Sequence, residues 1–354
     1  MSVSARVRIR NISCAFRHGA AVATAVCTAL LVTGCGDRHD DASTIVRTTT
    51  TIAGAGVVGL ERDTALACPL PSAPDPAGQT SVTHTAGVTE VPADPRRVVV
   101  LTTSALDAAC ALGLWERVVG AVSSDGPRPH PMYLGYGVTT IPSVGVGAPD
   151  PARIADLRPD LILGETATGA ADFATLQAIA PTVLVGTSTS WQAQFTAFAA
   201  GMNRRDAAAT ALAGYREQAR DVGIAIAASQ SQASVLRFTP DVIRIQGEDS
   251  FAGQILADTG VRRPTAQRGP STDIDIEDLA TEAEGDIIYV DFAGEDGKEY
   301  GEQVLRGDDW KALGAASDRR VFAVEDSVWH GNGLTAARAL LVDLQGTLNG
   351  YVTD

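Results

Sequence analysis

One stretch limits the architecture more than any other: Arg204 to Ser229, "RRDAAATALAGYREQARDVGIAIAAS". Leu212, Tyr215, Ala219, Val222 and Ile226 recur every three or four positions, and no proline interrupts them. That spacing lays one apolar stripe along a helix of about seven turns. A routine crossover between neighbouring strands needs far less. The stretch therefore reads as a spine, residues 204–229, that joins a lobe on either side.

Both flanks alternate strand and helix signals. In "RVVVLTTSALDAACALGLWERVVGAV", Val98–Leu101 is a short continuous apolar run, as for a strand buried on both faces. A helix over Ala105–Leu112 stops at Gly113, and Val118–Val122 is the next strand. "ARIADLRPDLILG" and "DFATLQAIAPTVLVG" each give a helix, a proline and a strand. After the spine, "SVLRF" and "VIRIQG" flank "TPD" as a hairpin. Then come a helix "SFAGQILADTG", a helix and strand in "IDIEDLATEAEGDIIYVDF", a strand "RVFAV" and a closing helix "GLTAARALLVDLQGTLNG". The pattern predicts the α/β class: two Rossmann-like lobes, residues 96–203 and 230–354, joined by one long helix.

The first 95 residues differ. Arg6, Arg8, Arg10 and Arg17 precede the apolar run Gly19–Gly34, and no acid occurs before Asp37. The run is shorter than the ~20 residues of a spanning helix and has the flanks of a secretory signal. Its exit, Val32-Thr33-Gly34-Cys35, resembles a bacterial lipobox. Residues 1–34 are expected to be a signal peptide, with Cys35 lipidated and no other hold on the membrane. Residues 35–95, rich in Thr, Ala, Asp, Pro and Gly, read as a tether and an extended arm laid on the surface. "GAGVVG", Gly54 to Gly59, matches a dinucleotide fingerprint in letters only. Prolines follow where a helix is required, so its glycines serve turns.

Export changes the cysteine arithmetic. Cys14 and Cys27 leave with the signal and Cys35 takes lipid, so Cys68 and Cys110 remain, an even pair outside the cytosol. They are expected to form a disulfide that pins the arm to the first helix, rather than to stay as two thiols. Without the four arginines of residues 1–34 the charges are 24 basic and 42 acidic, net −18. That balance excludes nucleic acid and anionic lipid as partners. Of the catalytic signatures, G-x-S-x-G, H-E-x-x-H and C-x-x-C are all missing. Beyond the signal only His39, His84, His130 and His330 occur, too few for a triad or a protein-bound metal, so no enzyme is expected.

The order of these blocks resembles a known family. "PRRVVVLTTSALDAACALGLWERVVG", "VGVGAPDPARIADLRPDLILG", "LQAIAPTVLV", "DVIRIQGEDSFAGQILADTGVRRP" and "DDWKALGAASDRRVFAVEDSVWHGNGLTAARALLVDL" follow one another as in helical-backbone periplasmic binding proteins of the class III fold. The chain is most similar to the FecB-like iron-siderophore lipoproteins of mycobacteria and related actinobacteria. The resemblance spans roughly residues 44–350. It implies a monomer that captures a ferric siderophore or similar Fe(III) chelate between its lobes and delivers it to an ABC permease. Haem and cobalamin are alternatives of the same fold, as is an envelope module that binds other proteins. Family members dock on importers through one glutamate per lobe. "IEDL" keeps the second-lobe one as Glu277, whereas "DPARIADL" has Ala152 and Arg153 in its place.

Ligands of open α/β sheets sit beyond the carboxyl ends of the strands. Ser104 follows the first strand, and the long loop "SSDGPRPHPMYLGYG" brings Arg128, Tyr133 and Tyr136 after the second. Glu165 ends "DLILG", Arg237 ends "SVLRF", and "VWHGNG" carries Trp329 and His330. Arginine suits the oxygen-rich face of a chelate, and aromatic rings cover its apolar parts. Arg128 and Tyr133 read as ligand-facing. Arg237 serves either a ligand or a surface ion pair. Trp329 either lines the cleft or packs the second lobe. His330 is an exposed loop residue with haem ligation as the alternative. Arg244, between Ile243 and Ile245 on a strand, reads as structural.

Overall fold

The computed structural model describes residues 50–76, 80–125, 128–166, 172–186, 188 and 190–348. All belong to one compact unit, Ala42–Asp354. The expected signal peptide and Cys35 lie outside the described residues.

The arm contains β1 Thr51–Ile52, β2 Ala55–Val57, β3 Ser81–His84 and β4 Gly87–Glu90. The first lobe begins with β5 Val98–Val100, α1 Thr103–Ala111, β6 Val118–Ser123, β7 Ser143–Val146 and α2 Pro151–Asp156. It continues with β8 Leu161–Glu165, α3 Phe173–Ile179, β9 Thr182–Val185 and α4 Trp191–Gly201. The spine is α5 Arg205–Ala225. The second lobe runs β10 Ala233–Thr239, β11 Val242–Ile245, α6 Phe251–Thr259, β12 Thr272–Ile274, β13 Ile287–Phe292 and α7 Gly294–Arg306. It closes with α8 Asp308–Lys311, α9 Gly314–Ser317, β14 Val321–Ala323, α10 Asp326–Trp329 and α11 Leu334–Leu348.

The first sheet is parallel throughout, in the order β7-β6-β5-β8-β9. The chain winds outward from β5 and then jumps to β8, so the switch point lies between those two strands. Every residue of β5 and β9 is buried, which explains their unbroken apolar runs. The second sheet has the order β1-β2-β14-β13-β10-β11-β12. Its β2, β14, β13 and β10 are parallel; β1 at one end and β11 and β12 at the other are joined antiparallel, with β1 and β12 as the edges.

Two expectations need correction. The arm does not merely lie on the surface: β2 pairs with β14, Gly56 opposite Phe322, and so completes the second lobe's sheet. Gly54, at φ 97°, turns the chain back so that Ala55 enters the core. The segment "IEDLATEA" is not an α-helix but a 3₁₀ turn, Ile276–Asp278, and one π turn, Leu279–Ala283. Glu284 ends it, its carboxylate accepting the amides of Gly314 and Ala315.

The spine fastens the lobes. Tyr215 of α5 meets Trp191 of α4 edge-on, ring centroids 4.9 Å apart, and its hydroxyl donates to Asp258 Oδ2 of α6 at 2.8 Å. One apolar core extends from β5 and α1 through α4, α5, α6 and α11 to Tyr289 of β13. The lobes therefore share a core across their junction. The arm adds a strap. Arg62 pairs with Glu325 and Asp343 of the second lobe. Cys68 is bonded to Cys110 of α1. Asp75 then accepts the amides of Arg205 and Asp206 at the start of the spine. The β3–β4 hairpin closes on β9, Thr89 Oγ1 donating to the Thr182 carbonyl at 2.9 Å.

Candidate ligand-binding site

A cavity of about 320 Å³ opens between the lobes. The first lobe contributes Ser188, just after β9. The second contributes Arg244 and Gln246 around the end of β11 and the turn Asp249–Phe251 that starts α6. The segment His330–Asn332 between α10 and α11 forms the remaining wall. Behind it, Asn332 of the second lobe donates to Gln194 Oε1 of α4, a hydrogen bond between the lobes.

The electrostatics are uneven. Arg244 makes a bidentate pair with Asp273, Nε to Oδ1 at 2.6 Å and Nη2 to Oδ2 at 2.9 Å. That guanidinium holds the Asp273 carboxyl below its ordinary value. Asp249 Oδ1 is occupied by the amide and hydroxyl of Ser271. His330 is exposed, as expected, but desolvation at the cavity wall, and then the neighbouring Arg237, pull its pKa down, so the ring is neutral at pH 7. Gln246 is only 3% exposed, and its side-chain Nε2 has no hydrogen-bond partner among the described residues. A buried donor left unpaired costs free energy until an acceptor arrives. The cavity can therefore take a ligand rich in acceptor oxygens, held by Gln246, Arg244 and His330.

The structure distributes the candidate residues unevenly. His330 is on the cavity wall. Ser104 lies in the first turn of α1 and Glu165 ends β8, both half-buried at the carboxyl edge of the first sheet but off the cavity. Arg128 is exposed just past β6, near a turn closed by the Ser124 amide donating to the Pro129 carbonyl. Arg237 is held by Asp326, Nε to Oδ1 at 2.6 Å, with buried Asp291 at 3.4 Å, so its charge is engaged within the lobe.

Of the aromatic candidates, Tyr133 and Tyr136 need correction, and Trp329 takes the second of its two readings, packing the second lobe. Tyr133 is 2% exposed and donates to Asp107 Oδ2 in the core. Trp329 is 1% exposed, stacked on Tyr289 at 4.3 Å with its Nε1 donating to Asp343. Tyr136 is exposed but at the wrong end. Parallel β6 and β7 require the chain to return from carboxyl to amino edge, and the loop does so by residue 137, which packs on Trp115 just before β6. Only the start of such a loop can reach a ligand beyond the strands.

Arg244, Gln246, Ser250 and Asn332 were not among the candidates. Alternation did place Arg244 away from the core. In this antiparallel strand, paired on both sides, that outward face is the cleft face. Glu277 is exposed on its turn after β12, and Ala152 and Arg153 are exposed on α2 of the other lobe.

Comparison with known proteins gives a consistent result. Residues 98–328 match the model of a family described as periplasmic binding protein. A probable siderophore-binding lipoprotein of Bacillus subtilis, YfiY, is 30% identical over 282 residues, 75% of this chain and 86% of that one. Staphylococcus aureus SirA complexed with staphyloferrin B superimposes with a TM-score of 0.66 at 26% identity, over 77% of this chain and 99% of that one. The petrobactin-binding protein YclQ of Bacillus subtilis shares the fold, with a TM-score of 0.63 at 24% identity over 77% of this chain and 99% of that one.

Proposed function

Because the chain belongs to the periplasmic binding protein family, we propose that it captures a ferric siderophore or similar iron chelate between its lobes for an ABC-type importer. The observation that carries this reading is the unpaired amide of Gln246 on the cavity wall, beside Arg244 and His330. Chelates of citrate or hydroxamate type present the acceptor oxygens that the Gln246 amide lacks. The naming of YfiY as siderophore-binding and the staphyloferrin B held by SirA support the same cargo. The volume of about 320 Å³ is at the low end of ordinary ligand pockets, and Phe251 is its only aromatic wall among the described residues. Both features favour a compact polar chelate over haem or cobalamin.

The proposal includes the anchor. Cys35 is the lipidation site, the chain is held at the outer face of the cell membrane as a monomer, and its subgroup is the FecB-like lipoproteins of mycobacteria and related actinobacteria. Two relatives described as lipoproteins support it. No catalytic step is part of the reading.

Fluorescence titration tests it. Trp191 meets Phe251 edge-on at 5.9 Å, and Phe251 lines the cavity, so the indole reports occupancy. Ferric citrate, a ferric hydroxamate, a ferric mycobactin-type siderophore, haem and cobalamin are added, with metal-free forms beside them. One iron-loaded chelate is expected to quench saturably, and to bind about tenfold or more weakly to Gln246→Leu and Arg244→Ala. Binding of haem or cobalamin alone transfers the cargo to that ligand. Flat curves throughout remove the transport reading and leave a module that binds envelope proteins.

A further inference from the structure

Away from the cleft, the arm carries an exposed apolar face. Leu66 is 87% exposed and Leu70 90%, with Leu60 also exposed. Their chain neighbours Arg62–Ala65 and Cys68 line a second cavity of about 510 Å³, together with Trp115 and with Leu134–Val138, which carries the exposed Tyr136. The face is held in place. The Cys68–Cys110 bond pins its centre. Gly113 lets the backbone of Pro69 and Leu70 lie against α1's end, and Gly137 rests on the Trp115 ring. An ordered surface of three leucines, a tyrosine and a tryptophan edge marks a contact that water does not satisfy.

The chain preceding it indicates the occupant. From Cys35 to Thr50 is fifteen residue steps, at most about 50 Å when fully extended. An anchored body of this size never moves far from lipid. Leucine with interfacial tyrosine and tryptophan is the composition that partitions into the headgroup boundary. The nearby Glu61 and Asp63, and the acidic chain as a whole, select a zwitterionic surface over an anionic one. We propose that the face formed by Leu60, Leu66, Leu70 and Tyr136 docks on the bilayer that holds the anchor. The inference rests on the anchored-lipoprotein part of the proposed function and adds a second membrane contact to it. Leu70, against Gly113, and Tyr136 lie toward the amino edge of the first sheet, whereas Ser188 of the cleft follows its carboxyl edge.

The full lipidated chain, reconstituted in phosphatidylcholine vesicles with brominated acyl chains, provides the test. Trp191, Trp310 and Trp329 are buried, so contact quenching reads Trp115. Bromolipid quenching is expected in the parent chain. It should disappear in Trp115→Phe and in the Leu66→Asp/Leu70→Asp double variant, while flotation and cleft titration stay unchanged. Flotation without quenching overturns the docking and leaves the anchor intact. A chain that does not float overturns both. Quenching that survives the double variant overturns the assignment to these leucines. A dimer in sedimentation, or crosslinks from position 66 to an importer subunit in place of lipid, assigns the face to a protein and overturns the proposal.

Discussion

Asp107 on α1 of the first lobe accepts the backbone amide of Thr335 on α11 of the second, at 2.9 Å. Its other oxygen accepts the Ala336 amide at 2.9 Å and the Tyr133 hydroxyl at 3.0 Å. The carboxylate thus caps a helix to which its own chain arrives more than two hundred residues later. Burial pushes its pKa up, and the three donors partly offset that. Gly333 is part of the device, since a methyl there would overlap the carboxylate. Asp107→Asn keeps one acceptor oxygen but turns the other into a donor that faces a backbone amide. A loss of about 3 kcal/mol is expected in urea unfolding. A loss under about 0.5 kcal/mol would show that the cap does not hold the lobes.

The spine offers a paired test. Gly214 of α5 has open space where a side chain would go, whereas a methyl at Gly223 would press into the carbonyl of Thr259 on α6. Alanine gains about 1 kcal/mol of helix propensity at either position. Gly214→Ala should stabilise by about that amount. Gly223→Ala should destabilise by about 1–3 kcal/mol, because two backbones must separate. Thermal melts of the two variants moving in the same direction would refute this account of the α5–α6 contact.

Reduction tests the strap. The disulfide closes a loop with a sequence separation of 42, which corresponds to at most about 4 kcal/mol of chain entropy. Reduced protein, or Cys68→Ser, should unfold at lower urea. It should also become sensitive to protease within residues 63–76, with the spine and both sheets still protected. Cleavage spread over the whole chain would mean that the bridge holds the fold rather than the arm.

His330 predicts a pH dependence. Its pKa lies below the ordinary 6.5, from desolvation by the atoms of the cavity wall and then from Arg237. The ring is neutral at pH 7 and gains charge only as pH falls below 6.5. An anionic chelate should therefore bind with constant affinity from about pH 8 to 6.5. It should bind about threefold to tenfold more tightly once the ring is protonated, in the range below pH 6.5. In His330→Asn the profile should be flat. The unfolded chain takes up the same proton more readily, so the ligand-free fold loses a little stability over that range. Isothermal titration at three pH values checks the sign; weaker binding at low pH would place the ligand's charge elsewhere.

How far the sequence could be read depends on what each signal measures. A run such as Val98–Val100 shows that both faces are covered, and the stripe from Leu212 to Ile226 shows one covered face. Those signals carried the α/β class, the hairpin at "TPD" and the spine. They do not say which partner covers the face. Tyr133 and Trp329 flank loops and look available to a ligand, yet Asp107 on α1 and Asp343 on α11 draw them inside. Tyr136 misled for a topological reason: a crossover loop belongs to both edges of its sheet. Gln246 has no sequence signature at all. Its importance lies in an absent hydrogen bond, which only the surrounding fold defines.

The pairing of β2 with β14 has a consequence for how the molecule is made. Residues 55–57 leave the ribosome among the first of the folded body, and their partners, residues 321–323, among the last. The opening strand must wait through nearly the whole of synthesis with its edge unsatisfied. Until the two strands meet, Phe322 and its neighbours on β14 are an open template for any extended chain. A fragment beginning after the arm keeps every helix of both lobes but leaves that edge bare. It should associate edge to edge, whereas the intact chain supplies its own last strand from its beginning.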